Sequence, residues 1–298
     1  MAANAVELTA EQAWWLADSA GLGGYPWVLA ITPPFSDYAQ RAGVEARLTR
    51  ELSELGVLRE GGRIDSAVRQ WISTTCRARR WLELRFVRGA GTMLRGHVGR
   101  RDVGGTEHTV ALRSGGLVTF TALDIDHPQA LVPVVTAGLS RRSPARFDEF
   151  TIPLRAGARA DEQLRNGATL PEIMEFLGIP PSARPVVEAA YAPGRSYVEI
   201  VAGDHRDGHR VSTDVGVSVV DTAEGRVLVY PGRAFDGEWV STFTPGTPLA
   251  IATALERLTS TLPDGAWFPD LRLTRDFDSD DRTEPQQWRQ TLQPAHRR

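Results

Sequence analysis

Between Tyr197 and Gly246 apolar and polar residues alternate in short runs. Val198 and Ile200 alternate with Tyr197 and Glu199, Val217 and Val219 with Ser218 and Val220, and Val227 and Val229 with Leu228 and Tyr230. A period of two is that of a strand with two different faces, so this stretch predicts several short strands. Asp221–Arg226 supplies Asp and Gly for a tight reversal, and Pro245-Gly246 closes the stretch ahead of a helix. The whole reads as an antiparallel meander.

Upstream the period changes to that of helices. Thr9 and Gln12 have capping-box spacing, Trp14, Trp15 and Leu16 follow as an apolar surface, and Gly21–Gly24 stops the helix. Tyr25–Ile31 reads as a short strand or a buried extended segment, ended by Pro33 and Pro34. A second helix carries Val44, Leu48, Leu52 and Leu55 on one face, and a third carries Ile64, Val68, Trp71 and Ile72. Strands are predicted around Leu82–Val87, Met93–Val98, Glu107–Leu112 and Leu117–Leu123, then a helix from about Pro128 to Leu139.

The same order then returns. After a connector with a strand expected at Phe150–Leu154, helical stretches appear around Asp161–Leu164, Leu170–Leu177 and Ser182–Tyr191, followed by the meander and a helix over Thr247–Leu262. Short echoes accompany it. Leu82-Glu-Leu84 resembles Val198-Glu-Ile200, Ser114–Val118 resembles Glu224–Leu228, and Pro128–Leu131 resembles Pro248–Ile251, at offsets of 116, 110 and 120 residues. The fold class predicted is therefore α+β, with a central antiparallel sheet shared by two pseudo-symmetric halves and flanked by helical bundles. Residues 1–140 form the N-terminal half, 141–160 the connector, and 161–272 the C-terminal half of the same globular unit. Residues 273–298 are charged and poor in aliphatics, and are expected to be a disordered tail.

Composition narrows the chemistry. A chain of 298 residues is long enough to bury a large core without staples, and its single Cys76 rules out an internal disulfide, which fits a reducing, cytoplasmic setting. No apolar run approaches the ~20 residues that span a bilayer. With a net charge of -3, no global field gathers nucleic acid, and the clusters Arg77, Arg79, Arg80 and Arg141, Arg142, Arg146 read as solvated faces. Lysine is absent, so Schiff-base chemistry and Walker-type phosphoryl transfer are excluded.

The remaining motifs are weak. His205 and His209 have i, i+4 spacing, but Asp204, Asp207 and Gly208 make this a turn without further metal ligands. Asp276, Asp278 and Asp280 open like a calcium loop, yet Asp281 and Gln287 occupy the positions that need Gly and Glu. Gly89, Gly91 and Gly96 precede a strand where a nucleotide loop would precede a helix, so they mark a hairpin. Cys76 beside Trp71 reads as packing. No metal and no cofactor is expected. Sequence order does not test for a spatially assembled Ser-His-Asp set, so an α+β hydrolase or small-ligand enzyme stays open as the alternative to a binding protein.

The landmarks LTAEQAWWLADSAGL, YPWVLAI, ELGVL, GVSVVDTAEGRVLVYPGRAFDGEWVSTFTPG and LTSTLPDGAWF, spread from Leu8 to Phe268, resemble the EspG family of type VII (ESX) secretion chaperones. The resemblance implies a cytosolic, non-enzymatic protein of two pseudo-symmetric halves that binds the helical tip of a PE/PPE heterodimer and keeps it soluble, without nucleic acid and without membrane insertion. It also implies that the connection between the second and third strands grips the partner. Counted along the strands predicted above, that connection is Arg100, Arg101, Asp102, Val103, Gly104, Gly105 and Thr106, assisted by the C-terminal helices. Arg100, Arg101 and Asp102 would serve an interface rim and Val103 an apolar contact.

Overall fold

The alternating runs condense into one 11-stranded sheet, in which every pairing of neighbouring strands is antiparallel. The computed structural model describes residues 4–89, 92–102, 104–192, 195–206 and 208–269. The first half runs β1 (Ala5–Thr9), α1 (Ala10–Ser19), α2 (Arg41–Glu54), α3 (Ser66–Cys76), β2 (Arg80–Arg88), β3 (Thr92–Arg100), β4 (Glu107–Ser114), β5 (Leu117–Asp124) and α4 (Pro128–Val135). The second runs β6 (Phe150–Pro153), α5 (Leu154–Arg165), α6 (Leu170–Phe176), α7 (Arg184–Tyr191), β7 (Ser196–Arg206), β8 (His209–Ser212), β9 (Val217–Thr222), β10 (Gly225–Arg233), β11 (Trp239–Pro245) and α8 (Pro248–Thr259).

Across the sheet the order is β1-β5-β4-β3-β2-β7-β9-β10-β11-β6, with β8 pairing β7 off this path. With β8 set aside, each half contributes the same arrangement outward from the central pair. That pair, β2 and β7, is antiparallel with Leu84 opposite Ile200, which places the approximate two-fold perpendicular to the sheet between these two strands. Two sheet halves joined this way end at the short strands β1 and β6, the short β8 has an edge of its own beside β7, and the long strands are paired on both sides.

Alternation along each strand sorts side chains between two layers. Val110 joins the core under α4 and α8, whereas its neighbour Ala111 joins the core under α1, α2 and α3. Leu228 and Val227 divide likewise between the α4–α8 layer and the α7 side. The helix starts follow local rules. Thr9 makes the full capping box with Gln12, Thr247 caps the amide of Ala250, and α4 and α8 both begin with Pro, whose missing N–H has no partner to lose at a first turn.

Three sequence expectations change. β1 has no counterpart in the sequence reading; its five residues acquire strand geometry by pairing β5, from Ala5 opposite Thr121 to Thr9 opposite Leu117. Tyr25–Ile31 is neither a strand nor wholly extended. Pro26 leads into a 3-10 turn at Trp27–Leu29 that buries Val28 and Leu29 and leaves Trp27 88% exposed. The echo between Ser114–Val118 and Glu224–Leu228 is out by one hairpin, because 114–117 is the turn of β4 and β5, and 222–225 is the turn of β9 and β10. The tail 273–298 that was expected to be disordered, with its acidic motif, lies outside the described residues.

Candidate functional site

The two sets of three helices seal their halves of the sheet unequally. α1 buries Gln12, Ala13, Trp14, Leu16 and Ala17, whereas α5 buries Ala160 and α7 buries Val186. In α7, Val186, Val187, Ala190 and Tyr191 recur at one-turn spacing and form one stripe directed at the sheet. The stripe meets the sheet at Val186, which packs with Val227, and diverges from it beyond that contact. A cavity of about 500 Å³ remains, floored by Val220, Val227, Val229 and Phe243 and walled by Phe147, Phe150 and the α7 stripe.

Its aromatic wall is a set of packed rings. Phe150 and Phe243 stack with centroids 4.8 Å apart and planes 3° apart, and Phe147 meets Phe150 at 6.1 Å. Polar groups stand at one margin: Asp161, Arg195, Glu199 and Ser218, with the Arg195 guanidinium 5.9 Å over the ring of Tyr197. Burial, and then the charge of Asp161, raise the pKa of the half-buried Tyr191 hydroxyl, so it stays a protonated donor. An apolar trough of this volume with a few polar groups at its margin fits a ligand that inserts hydrocarbon and keeps its polar parts at the rim.

The loop singled out from sequence is brought together only in part. Arg100 is 1% exposed; its Nη2 donates to the carbonyl of Trp267 and its guanidinium lies 4.7 Å over that ring. Burial, followed by the like charge of Arg80, lowers its pKa to about 10. The expectation that Arg100 serves an interface rim is therefore corrected: its side chain is committed to the core. Arg101, Asp102, Gly104 and Thr106 are exposed, Gly105 is half-buried, and Val103 lies outside the described residues. A small recess of about 280 Å³ lies beside them, lined by Arg101, Asp102, Gly105, Glu107 and, from α3, Gln70 and Thr74.

The strand count also shifts. With β1 in place, residues 101–106 join β3 to β4, and the connection between second and third strands becomes 89–91, of which 90 and 91 lie outside the described residues.

Arg100 belongs to a buried polar cluster that sequence reasoning missed. The Arg80 Nε donates to Asp204 Oδ1 at 2.9 Å, with both side chains fully buried, and Arg80 Nη1 donates to the Ala266 carbonyl at 2.8 Å. Asp204 Oδ2 accepts from the Asp264 amide, Trp267 Nε1 donates to His108 Nε2 at 3.1 Å, and His108 Nδ1 donates to the Thr106 carbonyl at 2.6 Å. The cluster clamps the strap after α8 onto the strands of the first half. Its only signal in sequence was an Arg-rich strand start.

Other chemistry stays in the cores. Burial pushes the Cys76 thiol up to about 12, and burial lowers His97 to about 3 and His108 to about 4. His205 and His209 face each other's neighbours across the β7–β8 hairpin, and among the described residues no group of three or more candidate ligands could hold a metal. No helix among the described residues is long and apolar enough to cross a membrane.

Comparison with known proteins places this geometry. The model of the EspG family matches residues 9–257. The chain is 63% identical over 280 residues to the ESX-3 secretion-associated protein EspG3 of Mycolicibacterium smegmatis, covering 94% of each. It is 56% identical to EspG3 of Mycobacterium tuberculosis over 92% of this chain and 97% of that one, and 32% identical to the ESX-1 secretion-associated protein EspG1 of Mycobacterium marinum over 88% and 90%. The fold matches that of the Mycobacterium tuberculosis type VII secretion system chaperone EspG5, solved in complex with a PE25-PPE41 dimer, with a TM-score of 0.73 and 16% identity over 89% of this chain and 99% of that one.

Proposed function

The chain belongs to the EspG family, and from that premise we propose that it is a non-enzymatic, cytosolic chaperone of a type VII secretion system of the ESX-3 kind, which binds the apolar helical tip of a PE/PPE heterodimer. The observation that carries this reading is the 500 Å³ trough between α7 and the sheet, an unfilled and mainly apolar surface. An exposed apolar tip on a helical partner drives aggregation. A complementary trough that binds the soluble form and not the aggregate holds it in solution by mass action.

The exposed loop residues Arg101, Asp102, Gly104 and Thr106 supply a second, polar contact in this reading, with Gly105 beneath them. The halves 1–140 and 161–272, with the connector 141–160 between them, act as one unit, since a partner spanning trough and loop needs a fixed distance between them.

Co-expression with a PE–PPE pair tests the proposal. A ternary complex should elute as one species in gel filtration and keep the PPE protein soluble, and Tyr191→Asp, at the half-exposed lip of the trough, should abolish co-elution while leaving the melting temperature unchanged. Co-elution undiminished by Tyr191→Asp would remove the trough from the interface, and a pair that never co-elutes would end the chaperone reading.

A further inference from the structure

The pseudo-symmetry identifies what the trough is shaped to hold, because the matching trough in the first half is already filled by the chain itself. Starting from Glu83 and Glu199, one position before the central Leu84–Ile200 pair, the strand registers trace two equivalent rows. In the first half Glu83 is opposite His97, His97 opposite Ala111, Ala111 opposite Phe120 and Phe120 opposite Val6. In the second half Glu199 is opposite Ser218, Ser218 opposite Val229, Val229 opposite Phe243 and Phe243 opposite Phe150. The rows end equivalently, since α1 starts at Ala10, four residues after Val6, and α5 at Leu154, four residues after Phe150.

All five residues of the second row line the open trough. In the first row His97, Ala111 and Phe120 are fully buried. The turn at Tyr25–Leu29 covers them together with α1 and α3, and it occupies the space that stays open in the second half. The Tyr25 ring lies 6.0 Å from Phe120 and its hydroxyl donates to the Ala13 carbonyl at 2.9 Å, while Val28 and Leu29 pack in the same core as Ala111 and Phe120. Arg113 Nη1 donates to the Leu29 carbonyl at 2.7 Å, and Arg95 Nη1 to that of Val28 at 3.4 Å. The turn belongs to the connection between α1 and α2, residues 20–40. The corresponding connection between α5 and α6 is residues 166–169, too short to reach back over the sheet.

Resting on the reading that the trough is the partner site, we propose that it accepts a partner turn built like Tyr25–Leu29: an aromatic ring laid on Phe243, followed three and four positions later by two aliphatic side chains against Val229 and the α7 stripe. The first half carries this element in its own chain. The second takes it from the partner.

The probe is a fluorescein-labelled peptide of residues 20–32, AGLGGYPWVLAIT, titrated with the full-length protein and followed by anisotropy. Saturable binding is expected, weakened at least tenfold by Tyr25→Ser with Leu29→Asp in the peptide, and equally by Ser218→Arg in the protein, which extends a charged side chain into the trough from its polar margin. Ala190→Arg on α7 is the second protein variant should Ser218→Arg fail to fold. No saturable binding, or binding indifferent to these changes, overturns the proposal. The same protein variants tested for PE–PPE co-elution separate the two ideas: co-elution lost in the variants while the unaltered protein binds no peptide sinks the mimicry alone, whereas co-elution retained in the variants sinks the trough as partner site.

Discussion

Truncating Trp267 to Ala tests whether the strap after α8 is held by its ring or by its backbone. The side chain is fully buried, and an indole of this kind removes roughly 200 Å² of apolar surface from water, about 5 kcal/mol at ~25 cal/mol per Å². The hydrogen bond to His108 adds about 1 kcal/mol, and the stacking of Arg100 at 4.7 Å and Arg80 at 5.3 Å about the same again. Neighbours relax into part of the void, so the net cost is set at about 4–5 kcal/mol, within the range of Trp→Ala core truncations. The backbone contacts persist, because Arg80 and Arg100 donate to main-chain carbonyls of 266 and 267 and the Trp267 amide donates to Thr259. Urea unfolding followed by far-UV circular dichroism reads the difference, and the thermal midpoint should fall by roughly 8–20 °C. Trp267→Phe keeps most of the buried area and loses the N–H, so it should cost about 1–2 kcal/mol. A Trp267→Ala protein with an unchanged midpoint, or a Phe variant as weak as the Ala one, would refute the assignment of the strap to ring burial.

His97 is buried with both ring nitrogens unpartnered, so His97→Leu should raise stability by about 1 kcal/mol at pH 7, measured by urea titration. Because folding lowers His97 to about 3 and His108 to about 4 from ordinary values near 6.5, the unfolded chain binds more protons in that window; stability is full above about pH 6.5 and falls as pH drops towards 3, and His97→Leu should flatten the fall. A Cβ at Gly203 would stand 2.3 Å from the Trp81 ring, so Gly203→Ala should lower the thermal midpoint by more than 5 °C, of order 1–3 kcal/mol, and a neutral result would mean that the ring moves freely. Arg100→Ser should destabilise by about 3 kcal/mol by emptying the Trp267 stack, whereas Arg101→Ser with Asp102→Ser should leave the midpoint within about 0.5 kcal/mol and act on partner capture alone.

Periodicity by itself determined the elements and their repeated order. Val198 and Ile200 face one layer whatever the fold, because a strand turns over every second residue, and Thr9 with Gln12 caps a helix through contacts within four residues. The Leu82–Val198 and Pro128–Pro248 echoes locate equivalent elements for the same reason, whereas the Gly-containing hairpin tips resemble one another in any register and misled the third. Tertiary structure decided the rest. β1 exists only through β5, more than a hundred residues away. Arg100 and Arg101 are adjacent and chemically alike, yet one is core and the other surface, because Trp267 arrives from the far end of the chain to cover only the first. The trough is the clearest case. Each half carries a sheet row and three helices, and the sequence shows both; that one row is covered and the other open follows from where residues 20–40 can reach and residues 166–169 cannot, a matter of chain length and distance in space that no local pattern records.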